Sequence, residues 1–136
     1  MPLKKPDVIV IDDDEAVRRS LAFALEQEGL RVLTFADGAE ALAAERLPGE
    51  ACLVVDFYMP GLDGIALVER LRGLQDHLPA ILITAKASDD MRAAAALAGI
   101  ARVLEKPLED GSLLREIRAV LAGEHGGLAA VAAAGP

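Results

Sequence analysis

Hydrophobic and polar positions alternate between two rhythms along this chain. Val8-Ile9-Val10-Ile11 is an unbroken β-branched run, the pattern of a strand buried on both faces. From Glu15 the apolar positions become Val17, Leu21, Ala24 and Leu25, which is helical spacing, and Gly29 offers a stop. Arg31 to Phe35 reads as a second strand. Asp37 precedes Glu40 by three residues, a capping-box-like start for a helix through about Arg46. Pro48-Gly49 breaks the chain, and Cys52-Leu53-Val54-Val55 is a third strand. Asp63 caps a helix with Ile65, Val68 and Leu71 on one stripe. Pro79 precedes a fourth strand from Ala80 to Thr84. Ser88 or Asp89 caps the alanine-rich helix that ends near Gly99. Arg102 to Glu105 is a fifth strand, and Asp110 caps a last helix carrying Leu113, Leu114, Ile117 and Leu121 before Gly123.

Five strands alternating with five helices predict an α/β fold with a parallel sheet covered on both faces. Right-handed crossovers leave few topologies, and the expected one is the flavodoxin-like, doubly wound order 2-1-3-4-5. Residues 1–122 form the predicted domain. Residues 123–136, ending in GEHGGLAAVAAAGP, read as a Gly/Ala-rich tail or linker with a marginal helix at Leu128 to Ala134. The tail serves either as a tether to a further domain or as a dispensable end.

A length of 136 residues is one domain's worth of chain. Fourteen Lys and Arg against 22 Asp and Glu give a net charge of −8. That excess argues against a basic face for nucleic acid or an anionic membrane. Cys52 is the single cysteine, which excludes an internal disulfide and a Cys-rich zinc site. His77 and His125 lie far apart and suggest no His-based metal centre. No run of about eighteen apolar residues occurs, so no membrane span is expected. The first apolar run is shorter than the roughly seven to fifteen residues of a signal peptide. The expected compartment is the cytoplasm.

Candidate chemistry sits where the strands stop. Strand one runs into Asp12, Asp13 and Asp14, strand three into Asp56, strand four into Thr84 and strand five into Lys106. Ligands in open α/β sheets bind at this edge. Each residue alone has a plainer reading: Asp12 and Asp13 could open a helix, Thr84 could be an ordinary β-former, Lys106 a solvated end. Asp14 and Glu15 keep the plain helix-start reading. Four strands converging on one polar edge favour a site. Carboxylates about 4 Å apart repel by about 4 kcal/mol at an effective dielectric near 20. Such a cluster takes up protons or binds a cation. Mg²⁺ suits one or two carboxylates with water and phosphate. With the Lys106 ammonium and the Thr84 hydroxyl, this set describes phosphoryl transfer, with a carboxylate as nucleophile forming an acyl phosphate. Neither GxxxxGK nor GxGxxG is present, which disfavours a nucleotide hydrolase.

The segments VIVIDDDEAVRRSL, VVDFYMPGLDG, ILITAKA and LEKPLED, in this order and spacing, resemble the receiver domain of bacterial two-component response regulators, a CheY-like fold, over about residues 6 to 122. KPLED and DDDEAVRRSLAFAL look most like FixJ-type receivers. The resemblance implies a phosphorelay switch in which Asp56 accepts a phosphoryl group from a phosphohistidine on a sensor histidine kinase. It implies that Asp13 and Asp56 ligate Mg²⁺ directly, with the carbonyl of Tyr58, and that Asp12 acts through a bound water. Lys106 would pair with the acids and then with the phosphoryl oxygens, and Thr84 would swing toward that group. Lys106-Pro107 would be a cis peptide. Lys86 and Tyr58 would tune the access of water to the acyl phosphate. The product is the receiver's own modified state, so its standing as an enzyme is partly semantic. Implied partners are the kinase and a downstream output domain or protein, and a phosphorylation-dependent homodimer stays open.

Two positions depart from the family pattern. Val103 stands where receivers usually carry Tyr or Phe, and Ile100 replaces a small residue after Gly99. Val103 is the best support for the alternative reading of an interaction module that works without phosphorylation, and the intact set of Asp12, Asp13, Asp56, Thr84 and Lys106 argues against it. A flavin protein of this topology would want aromatic loops, and only Phe57 and Tyr58 are near the strand ends. A metal-dependent hydrolase acting on a free phosphoester is a further rival.

Overall fold

The computed structural model describes residues 6–44, 51–74, 78–109 and 111–123. The elements run β1 (Val8–Ile11), α1 (Glu15–Gln27), β2 (Val32–Phe35), α2 (Gly38–Ala43), β3 (Cys52–Asp56), α3 (Gly64–Leu74), β4 (Ala80–Thr84), α4 (Asp89–Leu97), β5 (Arg102–Glu105) and α5 (Ser112–Leu121). All strand pairs are parallel, in the order β2-β1-β3-β4-β5. This is the doubly wound arrangement that the alternating rhythm predicts.

Side chains alternate across each strand, so the sheet divides its apolar residues between two cores. Ile9, Ile11, Leu53, Val55 and Leu82 face one side, where Ala41, Leu67, Val68, Leu71 and Ala95 of α2, α3 and α4 cover them. Val8, Val10, Val54, Ile81 and Ile83 face the other, under Leu25 of α1 and Leu113, Ile117 and Val120 of α5. Being covered twice explains why β1, β3 and β4 read as unbroken apolar runs and are buried throughout. The edge strands β2 and β5 are only partly buried.

Side chains set the helix starts. Asp14, Asp37, Asp63 and Ser88 accept from the amides of Val17, Glu40, Ala66 and Met91. The Glu40 carboxylate returns to the amide of Ala36 rather than to that of the cap residue Asp37, so the box is displaced by one position. Gly29 and Gly99 take left-handed backbone after α1 and α4, which residues with a Cβ resist.

Some boundaries differ from the sequence reading. β2 begins at Val32, one residue late, and β3 extends to Asp56. Ala44 adopts extended backbone, so α2 stops at Ala43, and Arg46 lies outside the described residues. Ala24 is exposed; α1 meets the sheet through Leu25, with Leu21 half-buried. Asp110 lies outside the described residues, and α5 starts from Gly111 in left-handed backbone without a side-chain cap. The expected tail helix also falls outside them.

At the edge where strands β1, β4 and β5 begin, arginines tie the layers together. Arg72 of α3 donates to the carbonyls of Leu78 and Gly99, both at 2.9 Å. Arg31 pairs with Asp7, and Arg102 of β5 with Glu116 of α5 at 2.7 Å.

Truncation should separate core from surface. Ile117 is fully buried, whereas Leu97 is 90% exposed. Ile117→Ala is expected to lower unfolding free energy by about 2–5 kcal/mol, and Leu97→Ala by less than about 0.5 kcal/mol. Urea unfolding of both variants checks this.

Candidate functional site

The strand order makes the site. β1 and β3 are neighbours in register, with Ile11 opposite Val55, so Asp12 and Asp56 emerge side by side. Asp13 follows immediately, and carboxylate oxygens of Asp12, Asp13 and Asp56 lie within 4.8 Å of one another. β5 is two strands away, and its following residue Lys106 reaches across until Nζ is 3.6 Å from Oδ1 of Asp56. Asp12 and Asp56 are buried, while Asp13 is exposed.

Burial is the first cause that pushes the carboxyl of Asp56 above the usual carboxylate range. Lys106 pulls it back, and Asp12 and Asp13 push it further up. Asp12 is raised for the same leading reason, opposed by a bond from the Asp14 amide at 2.9 Å and by the charge of Lys106. Hard oxygen donors, crowded and short of positive charge, fit a divalent cation. The cluster can hold one through Asp12, Asp13 and Asp56.

Thr84 ends β4 fully buried. Its Oγ1 donates to the carbonyl of Lys86 at 3.2 Å and accepts from the Lys86 amide at 3.3 Å. The hydroxyl is thus engaged with its own loop and not with the acids. The Lys106 amide bonds to the Thr84 carbonyl at 2.8 Å, and Lys106-Pro107 is cis. Tyr58 lies in the loop after β3, 56% exposed, with its ring edge-on to Phe57 at 4.8 Å. Val103 is half-buried and packs against the core on the α4 side, as does Met91. Ile100 is buried in the same core.

Two contributors escape the sequence reading. Gly64 opens α3 with its amide bonded to the Phe57 carbonyl at 2.9 Å. A Cβ there would stand 2.6 Å from the Asp56 carbonyl oxygen and 2.8 Å from Leu82 Cδ1. Glycine at the first helical turn, where it is a poor former, was the available signal. Arg18 donates through Nη1 to the Asp12 carbonyl at 2.8 Å, a contact across six residues that no helix or strand period marks.

The family model described as the response regulator receiver domain matches residues 8–118. The chain is a member of the response regulator receiver family. It is 39% identical over 121 residues to the transcriptional regulatory protein FixJ of Azorhizobium caulinodans, covering 89% of this chain and 57% of that protein. It is 40% identical over 114 residues to the response regulator MprA of Mycobacterium tuberculosis, covering 84% of this chain and 50% of that protein. The chain therefore spans only about half the length of these relatives. Among solved structures, FixJ-N matches with a TM-score of 0.79 at 32% identity, covering 89% of this chain and 97% of that one. The chemotaxis protein CheY4 of Vibrio cholerae matches with a TM-score of 0.76 at 26% identity, covering 86% and 99%. Receivers of this family act in two-component signalling, the role that the four sequence segments imply.

Gly64→Ala should displace the end of β3 and destabilise the fold by about 1–3 kcal/mol, read from urea midpoints. The raised carboxyls carry a pH signature. A carboxyl whose pKa is raised by folding contributes stability that is fully present below its unfolded pKa. That stability is lost as pH rises through the raised folded value. Asp56→Asn removes one such charge and should raise the melting temperature in EDTA at pH 7. It should also flatten the loss of stability that wild type shows as pH rises above the ordinary carboxylate range. Wild type should regain stability with a divalent cation, by about 2.7 kcal/mol at a hundredfold excess over Kd, and the variant by less.

Proposed function

We propose that this receiver takes a phosphoryl group onto Asp56 from a phosphohistidine of a sensor histidine kinase, with Mg²⁺ as cofactor. The observation that carries this reading is the meeting of Asp12, Asp13 and Asp56 within 4.8 Å, with the Lys106 ammonium 3.6 Å from Asp56. A carboxylate oxygen of Asp56 attacks phosphorus. The P–N bond to the donor imidazole breaks, and the imidazole leaves with the electron pair. The Lys106 ammonium shifts from Asp56 to the phosphoryl oxygens, where its charge is worth most as the transition state forms. Asp13, Asp56 and the Tyr58 carbonyl would hold Mg²⁺, with Asp12 acting through a water, and the ion would supply neutralisation of the incoming anion. Thr84 leaves its Lys86 contacts and donates to the phosphoryl group. Among the described residues its buried hydroxyl bonds only within its own loop, through two long contacts to the Lys86 backbone, which supports a role in readout.

Phosphorylation then favours one arrangement of the α4, β5 and α5 face and shifts a pre-existing equilibrium in partner affinity. The partners in this reading are the kinase and an output domain or protein, in the cytoplasm, with 1–122 as the phosphoacceptor unit and 123–136 as tail or linker. A phosphorylation-dependent homodimer is compatible with it. Among the described residues no helix is long and apolar enough to cross a membrane.

Intact-mass analysis after incubation with a small phosphodonor and Mg²⁺ tests the proposal. Wild type should gain one phosphoryl group, and Asp56→Asn none. Lys106→Met should slow the gain by about 10²-fold. An unlabelled wild type, or a labelled Asp56→Asn, overturns the assignment.

A further inference from the structure

The turn between β1 and α1 carries two of the three clustered acids, and its backbone is held from several directions. The Asp12 amide donates to the Phe35 carbonyl at 3.3 Å, and Asp12 Oδ1 accepts from the Asp14 amide at 2.9 Å. Asp14 in turn caps α1 through the Val17 amide at 3.1 Å, and its carbonyl accepts from the Arg18 amide at 2.8 Å. The Asp12 carbonyl remains. Among the described residues its one donor is the guanidinium of Arg18, through Nη1 at 2.8 Å.

That carbonyl belongs to the peptide unit joining Asp12 to Asp13. A peptide unit is planar, so fixing its C=O fixes the direction of the following N–H as well. An uncompensated change in ψ of Asp12 or φ of Asp13 turns the backbone that carries one carboxylate relative to the backbone that carries the other, and a plane held at its C=O resists both changes. The two acids repel each other, which favours such a change. A charged donor makes the stronger kind of hydrogen bond against it. Arg18 is half-buried and issues from the second turn of α1, a rigid element docked on the sheet through Leu25 and Leu21.

We propose that Arg18 is a positioning residue for the acid cluster: it grips the peptide plane between Asp12 and Asp13 and holds both carboxylates in the arrangement that takes a divalent cation. This inference rests on reading the cluster as a cation site.

The sign of the effect separates positioning from mere charge. A guanidinium near a cation site opposes cation binding, so deleting it should tighten Mg²⁺ if charge were all that mattered. Deleting a positioning bond should weaken Mg²⁺ instead. Loss of a bond that orients metal ligands costs about tenfold or more in metal affinity. A charge effect fades with added salt, and a geometric one persists.

The test compares wild type, Arg18→Met and Arg18→Lys by the Mg²⁺ dependence of melting temperature at low and high KCl, without any phosphodonor. Amide exchange at Asp14 is read in parallel in EDTA. Met keeps the apolar stem without donor or charge; Lys keeps a charged donor. Arg18→Met should bind Mg²⁺ about tenfold more weakly at both salt concentrations and exchange the Asp14 amide faster. Arg18→Lys should stay within about threefold of wild type. Unchanged or tighter Mg²⁺ binding by Arg18→Met overturns the role of Arg18. A wild type whose melting ignores Mg²⁺ overturns the cation site itself, so the two failures are distinguishable.

Discussion

Like charges held together against their repulsion define this molecule. Adjacent, in-register strands leave Asp12 and Asp56 nowhere to go but next to each other, and Asp13 joins them. Against three carboxylates within one cluster, the only cation that meets them in an ion pair among the described residues is Lys106. Burial sharpens the imbalance, because water screens Asp12 and Asp56 poorly. The surrounding structure reads as restraint on that tension: a glycine that lets α3 approach the Asp56 backbone, a cap at Asp14, and an arginine on the turn. The surplus of negative charge at this edge is what a divalent cation would offset.

The pattern of apolar positions told most of the fold. Val8 to Ile11 and Ala80 to Thr84 read as strands because both faces are covered, which removes the polar alternation that would blur them. Asp37, Asp63 and Ser88 were legible as caps because the hydrogen bond is local. The acids and Lys106 were legible because parallel topology sends all strand ends to one edge. What stayed hidden depends on distance in three dimensions. Gly64 matters through one close approach to another element, and Arg18 through one long side chain folding back. Thr84 was placed correctly at its strand end, yet its hydroxyl is taken up by Lys86, a loop contact that no sequence rhythm announces. The end of α2 was missed because Ala44, a good helix former, is turned extended by its context.

Charge is divided between the two ends of the sheet. The acids gather where the strands finish, while Arg31, Arg72 and Arg102 fasten the opposite rim to carbonyls and carboxylates. Those arginines are spent on joining layers and add nothing to the balance at the site. Lys106 therefore carries the compensation at the reactive edge, and Val103, packed two positions before Glu105, offers the neighbouring core a branched aliphatic where an aromatic ring is the family habit.

The difference between central and edge strands has a kinetic meaning. β1, β3 and β4 are sealed along their whole length, whereas β2 and β5 are partly open to solvent. Segments sealed in this way separate only when the whole molecule comes apart, while margins breathe on their own. Asp56 and its acidic neighbours thus issue from the strands that open last. Lys106 follows one of the margins, so the acids and the cation that meets Asp56 are anchored in parts of the fold with unequal cover.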